Sequence, residues 1–256
     1  MIVTVSSVRG SPGVTTWALL LGGAWPEEFG VERVVLEADV AGGVLGARYD
    51  LGVDPGVVSL VTAMRRDATA VPVSDHTRQV APGVGVAPAP ETAEQAYALW
   101  AGVADVIASA CSRDERVWIV DCGRVDARSP QVAFVKRAAH SVLLSGARTE
   151  DLVQLPTRVT ALQQLGAEVS LLIIGKPAHR RDEIAAFVGA EVIGVVDHDP
   201  DAFAIAGSAV GGGRARRSWL WRSALDVTAE IARRATSTKS DIGSALGNLQ
   251  VVDGTR

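Results

Sequence analysis

Cysteine and long apolar runs are both scarce in this sequence, and each scarcity removes a class of protein. Two cysteines, Cys111 and Cys122, are too few for the disulfide framework of a secreted scaffold and suit a reducing cytosol. No apolar run approaches the roughly 20 residues of a membrane-spanning helix. The start, "MIVTVSSVRG", has neither the basic opening nor the small-residue cleavage site of an export signal, so a cytoplasmic protein is expected. A net charge of −4 gives no global pull toward nucleic acid or anionic membrane. The four histidines show no metal-ligand spacing, and no Ser/His/Asp or Cys/His set can be assembled. No internal repeat is visible. The basic residues are almost all arginine, which together with the Ala, Val and Gly bias points to a GC-rich bacterial genome.

What is present is a regular alternation. At 256 residues, 48% hydrophobic and 21% charged, the chain has material for one large α/β domain. Six β-branched runs, "MIVTVSS", "ERVVLEAD", "RVWIVDCG", "HSVLLSGA", "AEVSLLIIGK" and "AEVIGVVD", are continuous rather than alternating, as strands covered on both faces must be. "GVGVAPAP" is a weaker seventh. Helical stripes lie between them: Trp17, Leu20, Leu21 and Ala24 in one stretch, Ala96, Leu99, Val103 and Ile107 in another. Pro156 bends the next helix or marks its first turn. The expected fold is α/β, a doubly wound and mostly parallel sheet flanked by helices. Residues 67–82 read as a surface excursion, a last helix covers Ser218 to Ala235, and the Gly/Ser-rich residues 236–256 read as a flexible tail after a domain spanning 1–235.

In such sheets ligands sit beyond the carboxyl ends of the strands. After the first strand comes "RGSPGVTTW", in which glycines allow backbone N–H groups to curl round an anion ahead of a helix N-terminus. Against the phosphate-loop pattern G-x-x-x-x-G-K-S/T, Val8 replaces the first glycine and Val14 the lysine, while Gly13 and the Mg²⁺-binding hydroxyl of Thr15 are kept. The alternative is a Gly/Pro turn joining strand to helix. Glu37 and Asp39 close the second strand and Asp121 a later one, where a carboxylate would hold a magnesium water shell. The G-x-G-x-x-G of a dehydrogenase is absent from this turn.

Taken in order, these segments resemble the MinD/ParA group of deviant Walker ATPases, a branch of the P-loop NTPases. "RGSPGVTT" aligns without a gap to K-G-G-x-G-K-T-T, Glu37-Ala38-Asp39 to the D-x-D after the second strand, and Asp121 to the Walker B position. "APGVGVAPAP", "AAHSVLLSGARTEDL" and "EVIGVVDHDPDAFAIAG" are similar to three further family segments, and the likeness runs over residues 1 to 235. The resemblance implies binding of ATP and Mg²⁺, a face-to-face homodimer, slow hydrolysis stimulated by a protein partner, and the spatial organisation of a chromosome, plasmid, division site, pilus or secretion machine. It also implies that Gly10, Ser11, Gly13, Val14, Thr15 and Thr16 line the phosphates. Thr15 and Asp121 would serve Mg²⁺, Asp39 would position the attacking water, and Arg9 would reach the other subunit's phosphates.

The departures matter too. Val14 removes the lysine, Ser11 replaces a glycine, and "DCGR" replaces D-T-P-P, leaving Arg124 either as a compensating cation or as an exposed loop residue. The cluster Arg214, Arg216 and Arg217 is a DNA grip or, as favoured here, a solvated loop. Trp219 and Trp221 cap a core or face a partner, and no basic amphipathic helix for membrane attachment ends the chain. Two readings follow: a weakened ATPase that cycles with nucleotide, or a scaffold that keeps the fold and binds partners without turnover.

Overall fold

A computed structural model describes residues 1–9, 12–27, 31–52, 54–67, 71–210 and 212–251, and only the backbone at 208, 209, 214 and 236–251. In chain order the elements are β1 (Ile2–Ser7), α1 (Val14–Ala24), β2 (Arg33–Glu37), α2 (Leu45–Tyr49), α3 (Val57–Arg66), β3 (Arg78–Ala81), β4 (Val84–Ala87), α4 (Ala93–Arg113) and β5 (Val117–Arg124). Then follow α5 (Val132–Val135), β6 (His140–Gly146), α6 (Thr149–Leu152), α7 (Leu155–Gln164), β7 (Val169–Ile174), α8 (Arg181–Val188), β8 (Glu191–Val196), α9 (Ala202–Val210) and α10 (Trp219–Val251).

One eight-stranded sheet runs β3-β4-β2-β5-β1-β6-β7-β8, parallel except for the β3–β4 pair. Its side chains divide by the period of two. Val3, Val5, Val35 and Ile119 face α1, α9 and α10, whereas Ile2, Val34, Leu36, Trp118 and Val120 face α3, α4 and α5. Leu143, Leu171 and Ile173 pack against α6, α7 and α8. Trp100 of α4 meets Phe134 of α5 edge-on, with ring centroids 5.4 Å apart, and anchors the second layer.

Helix α1 is buried nearly all round because the sheet lies on one side and α9 with α10 on the other. The pair Gly22-Gly23 permits this: a Cβ on Gly22 would stand 2.7 Å from Val35 and one on Gly23 2.7 Å from Val210. Val5 and Glu37 both register with Asp121, so the carboxyl ends of β1, β2 and β5 finish level. That common edge carries the loops considered below.

Three local readings change. The excursion at 67–82 contains β3, a half-exposed antiparallel edge strand closed onto β4 through Pro82 and Gly83; its four residues carry no apolar run, and only the Pro-Gly turn betrays it. The stretch around Pro156 is two helices, α6 and α7, with the proline in the first turn of α7 where its missing N–H costs nothing. Helix α10 continues past Ala235 to Val251, a stretch free of proline; 252–256 lie outside the described residues. Among the described residues no helix is long and apolar enough to cross a membrane.

Glu37 ties the edge together. Only 1% exposed, its carboxylate accepts the N–H groups of Val44 (2.6 Å), Leu45 (3.1 Å) and Ala89 (2.9 Å), joining the end of β2 to the start of α2 and to the segment after β4. Removing it leaves three buried or half-buried donors unpaired. Glu37→Ala is expected to lose roughly 2–4 kcal/mol in urea unfolding. By contrast Asp105→Ala, which breaks an exposed pair with Arg137, should lose under about 1 kcal/mol. A near-neutral Glu37→Ala would show that the clamp is dispensable.

At the opposite end of the sheet His140 is fully buried, with Nε2 3.1 Å from the Ser170 hydroxyl and Nδ1 3.5 Å from Glu168. Burial holds its pKa below 6.5, with Arg234 acting in the same sense and Glu168 and Glu191 against it. Below about pH 6.5 the unfolded chain therefore takes up a proton that the folded chain resists, and stability falls as the pH falls. The buried acids Glu37, Asp39 and Asp121, whose pKa values burial raises, pull the other way, so the test is a difference: the urea midpoint of His140→Gln relative to wild type should rise as the pH falls from about 7.5 to 5.5, and a difference independent of pH would exclude the effect.

Candidate functional site

A cleft of about 740 Å³ opens over the carboxyl ends of β1, β2 and β5. One wall is the turn into α1. Gly13, with φ +95°, accepts the Trp17 N–H at 2.9 Å as the helix begins, and Thr15 and Thr16 occupy the first turn with no side-chain cap. Among the described residues no side chain caps the first-turn amides, the arrangement that receives anions. Val14, the first helical residue, is 7% exposed and belongs to the apolar core, although its edge reaches the cleft. It brings no charge.

The facing wall is acidic. Asp121, on β5, is fully buried beneath the cleft; Oδ1 accepts the Gly123 N–H at 3.0 Å and Oδ2 has no hydrogen-bond partner among the described residues. Burial pushes its pKa up to about 7, the Thr15 hydroxyl and the Gly123 N–H favour the charged form, and the charges of Glu37 and Asp39 oppose it. Asp39 is half-buried at the start of the loop after β2, where Oδ1 accepts the Ala41 N–H at 2.8 Å. Its pKa is also raised by burial, against the pull of the Ala41 N–H and the Arg124 guanidinium. The Asp39 carboxylate presses on Gly123, whose φ is +56°; a Cβ there would collide with it, so both steric room and backbone conformation require glycine.

Thus Gly13, Thr15, Thr16 and Asp39, far apart in sequence, line one cavity, and Asp121 lies buried beneath it against the Thr15 hydroxyl. Glu37, aligned by the D-x-D pattern, instead points into the protein as the clamp described above. Arg9 lies elsewhere: its Nη1 donates to the Glu150 carbonyl at 3.3 Å, and it lines a separate cavity of about 330 Å³ with Arg148, Lys176 and His198. Gly10 and Ser11 fall outside the described residues. The cleft also includes residues that no motif announced. Arg128 lies on the loop after β5, while Val44, Tyr97 and Phe203, respectively 46%, 56% and 43% exposed, ring the mouth with apolar surface. Tyr97 sits on the otherwise polar side of α4, and an aromatic there is the one trace sequence offers.

The acidic wall suits a small hard cation: a buried carboxylate oxygen lacks a partner and a hydroxyl lies beside it. Among the described residues no group of three or more His, Cys, Asp or Glu side chains forms a self-contained metal site. A cation here would take most of its oxygens from a bound phosphate and water, which is how Mg²⁺ accompanies nucleotides.

No family model matches the sequence, and no curated protein sequence does either. Solved structures are similar over nearly the whole chain. The septum-site-determining protein MinD from Pyrococcus horikoshii, complexed with Mg-ADP, superposes with a TM-score of 0.71 at 13% identity, covering 93% of this chain and 99% of that one. A ParA family ATPase from Chlorobium tepidum gives 0.69 at 16% identity, covering 89% and 96%. MinD in the MinC:MinD complex from Aquifex aeolicus gives 0.65 at 14%, covering 90% and 95%. Identities this low speak to architecture, and on architecture they agree: the chain has the fold of these MinD and ParA structures.

Proposed function

We propose that this protein is an atypical MinD/ParA-like nucleotide switch. It binds ATP with Mg²⁺ weakly, hydrolyses it slowly or not at all, and uses nucleotide-dependent homodimerisation to organise a cellular cargo or machine. The observation that carries this reading is that Gly13, Thr15, Thr16 and Asp39 line one cleft at the carboxyl edge of the sheet, with Asp121 buried directly beneath Thr15. The Mg-ADP bound to the Pyrococcus horikoshii MinD and the MinC partner of the Aquifex aeolicus MinD support it by analogy of fold.

In this reading the amides from Gly13 to Thr16, together with Gly10 and Ser11, receive the phosphates at the positive end of α1. Thr15 and Asp121 hold the magnesium, which when bound neutralises charge shared between phosphate oxygens. Asp39, braced by the Ala41 N–H and pressed against Gly123, orients the water at the far end of the cleft. Arg9, turned away from this cleft, is the group that meets a second subunit. Its guanidinium fork suits phosphate oxygens. Dimerisation would cover Val44, Tyr97 and Phe203 at the mouth.

Val14 favours the second reading, a scaffold without turnover, because a side chain sunk in the core supplies no cation. Loss of one charge-assisted contact costs about 2–3 kcal/mol, or roughly a hundredfold in affinity. Calorimetry separates the two. The wild-type protein is expected to bind ATP with Mg²⁺ at roughly 0.1–1 mM, to lose most of that affinity in EDTA, and to bind more than about tenfold tighter as Val14→Lys. Asp121→Asn should bind ATP equally with and without Mg²⁺. Light scattering should show ATP moving the 26.7 kDa chain toward dimer. Silence of wild type and Val14→Lys toward ATP in both calorimetry and thermal shift would leave only the scaffold.

A further inference from the structure

We propose that Arg124 takes the place of the missing P-loop lysine, binding the terminal phosphate of a nucleoside triphosphate from the β5 side of the cleft; this rests on the nucleotide reading above. A polyphosphate needs fixed positive charge as well as amide dipoles, and Val14 has none to give. Arg9 is engaged with the Glu150 carbonyl in the other cavity. Among the described residues two cationic side chains line the main cleft, Arg124 and Arg128.

They differ in how they are held. Arg128 sits on a solvent-exposed turn closed by the Asp126 side chain, which accepts the Arg128 N–H at 2.7 Å. Arg124 is the last residue of β5, and its backbone is fixed on both sides. Before it, Gly123 is wedged in a left-handed conformation against Asp39 and donates to Asp121. After it, Val125 is 1% exposed and donates to the Ser7 carbonyl at 3.0 Å. Ser7 is the final residue of β1 and registers with Arg124, so the arginine is anchored directly beside the start of the phosphate loop.

Its guanidinium is exposed, forms no ion pair among the described residues, and stands near enough to Asp39 to favour that carboxylate's charged form. That neighbour sets the specificity. In the nucleotide reading the α1 amides hold the inner phosphates, so Asp39, which lines the cleft across from them on the loop after β2, would stand beside the third phosphate of ATP, which ADP lacks. A guanidinium fork presents two parallel N–H donors to such a phosphate. Arg124 therefore gives the cleft a preference for triphosphate over diphosphate that a lysine on α1, which reaches phosphates of both, does not give to the same degree.

Titration calorimetry of the full chain with ATP and ADP, each with Mg²⁺, tests this. Arg124→Ala should weaken ATP binding roughly ten- to a hundredfold and ADP binding less than about threefold, and Arg124→Lys should recover part of the loss. In a Val14→Lys background the Arg124→Ala penalty on ATP should shrink below about tenfold, because the lysine restores the charge. Arg124 is exposed, so the thermal midpoint of the single variant should stay within a degree or so of wild type. Unchanged ATP affinity in Arg124→Ala, or equal losses for ATP and ADP, would overturn the assignment and leave the nucleotide reading standing. Failure of wild type to bind either nucleotide would overturn both.

Discussion

A carboxylate with no cation partner among the described residues holds this site in shape. Glu37 gathers three backbone N–H groups from two segments far apart in sequence, and no water-filled loop need supply them. Asp39, two residues further on, takes its position from that anchorage. A second brace comes from Gln131 at the start of α5, whose side-chain amide donates to the Ala38 carbonyl at 2.8 Å. Glutamate suits the task better than aspartate because its extra methylene lets the carboxylate reach past the end of β2 to Ala89. The closeness of Gly43 follows from the same packing: a Cβ there would strike the Glu37 carboxylate.

The clamp also sets the electrostatics. Glu37, Asp39 and Asp121 crowd one edge of the sheet, and burial raises the pKa of each. An acid whose pKa rises on folding lowers stability as the pH climbs through the interval between its unfolded and folded values; for Asp121 that interval ends at about 7. Buried charge of this kind is seldom a stabilising device, since apolar replacements commonly do as well or better. Its relief lies in a cation. The amides at the head of α1 face this acidic edge across the cleft, and the guanidinium of Arg124 stands on the acidic side beside Asp39, an arrangement suited to a metal-chelated polyphosphate.

The sheet was legible because each central strand is an unbroken β-branched run, and such runs have few other uses in a chain of this length. β3 was not, since four half-exposed residues on a sheet edge need no apolar pattern. The carboxylates at the strand ends could be found from sequence, and the family resemblance singled out Asp39, but nothing in "LEADV" gives Glu37 its own task; only the placement of the α2 and β4 termini turns it inward while Asp39 lines the cleft. Gly123 likewise reads as a loop glycine until Asp39 is set against it.

By itself, then, the sequence determined the parallel α/β architecture, the turn between β1 and α1, and the acidic residues at the strand ends, because hydrophobic period and strand-terminal chemistry are local properties. Tertiary structure alone decided which of those residues share a cavity. It put Arg9 and Arg124 on different sides of the loop, drew Val14 into the core and set Asp121 under Thr15. The reason is physical: the register and order of β1, β2 and β5 arise from packing between segments more than eighty residues apart, and that packing fixes where each side chain ends up.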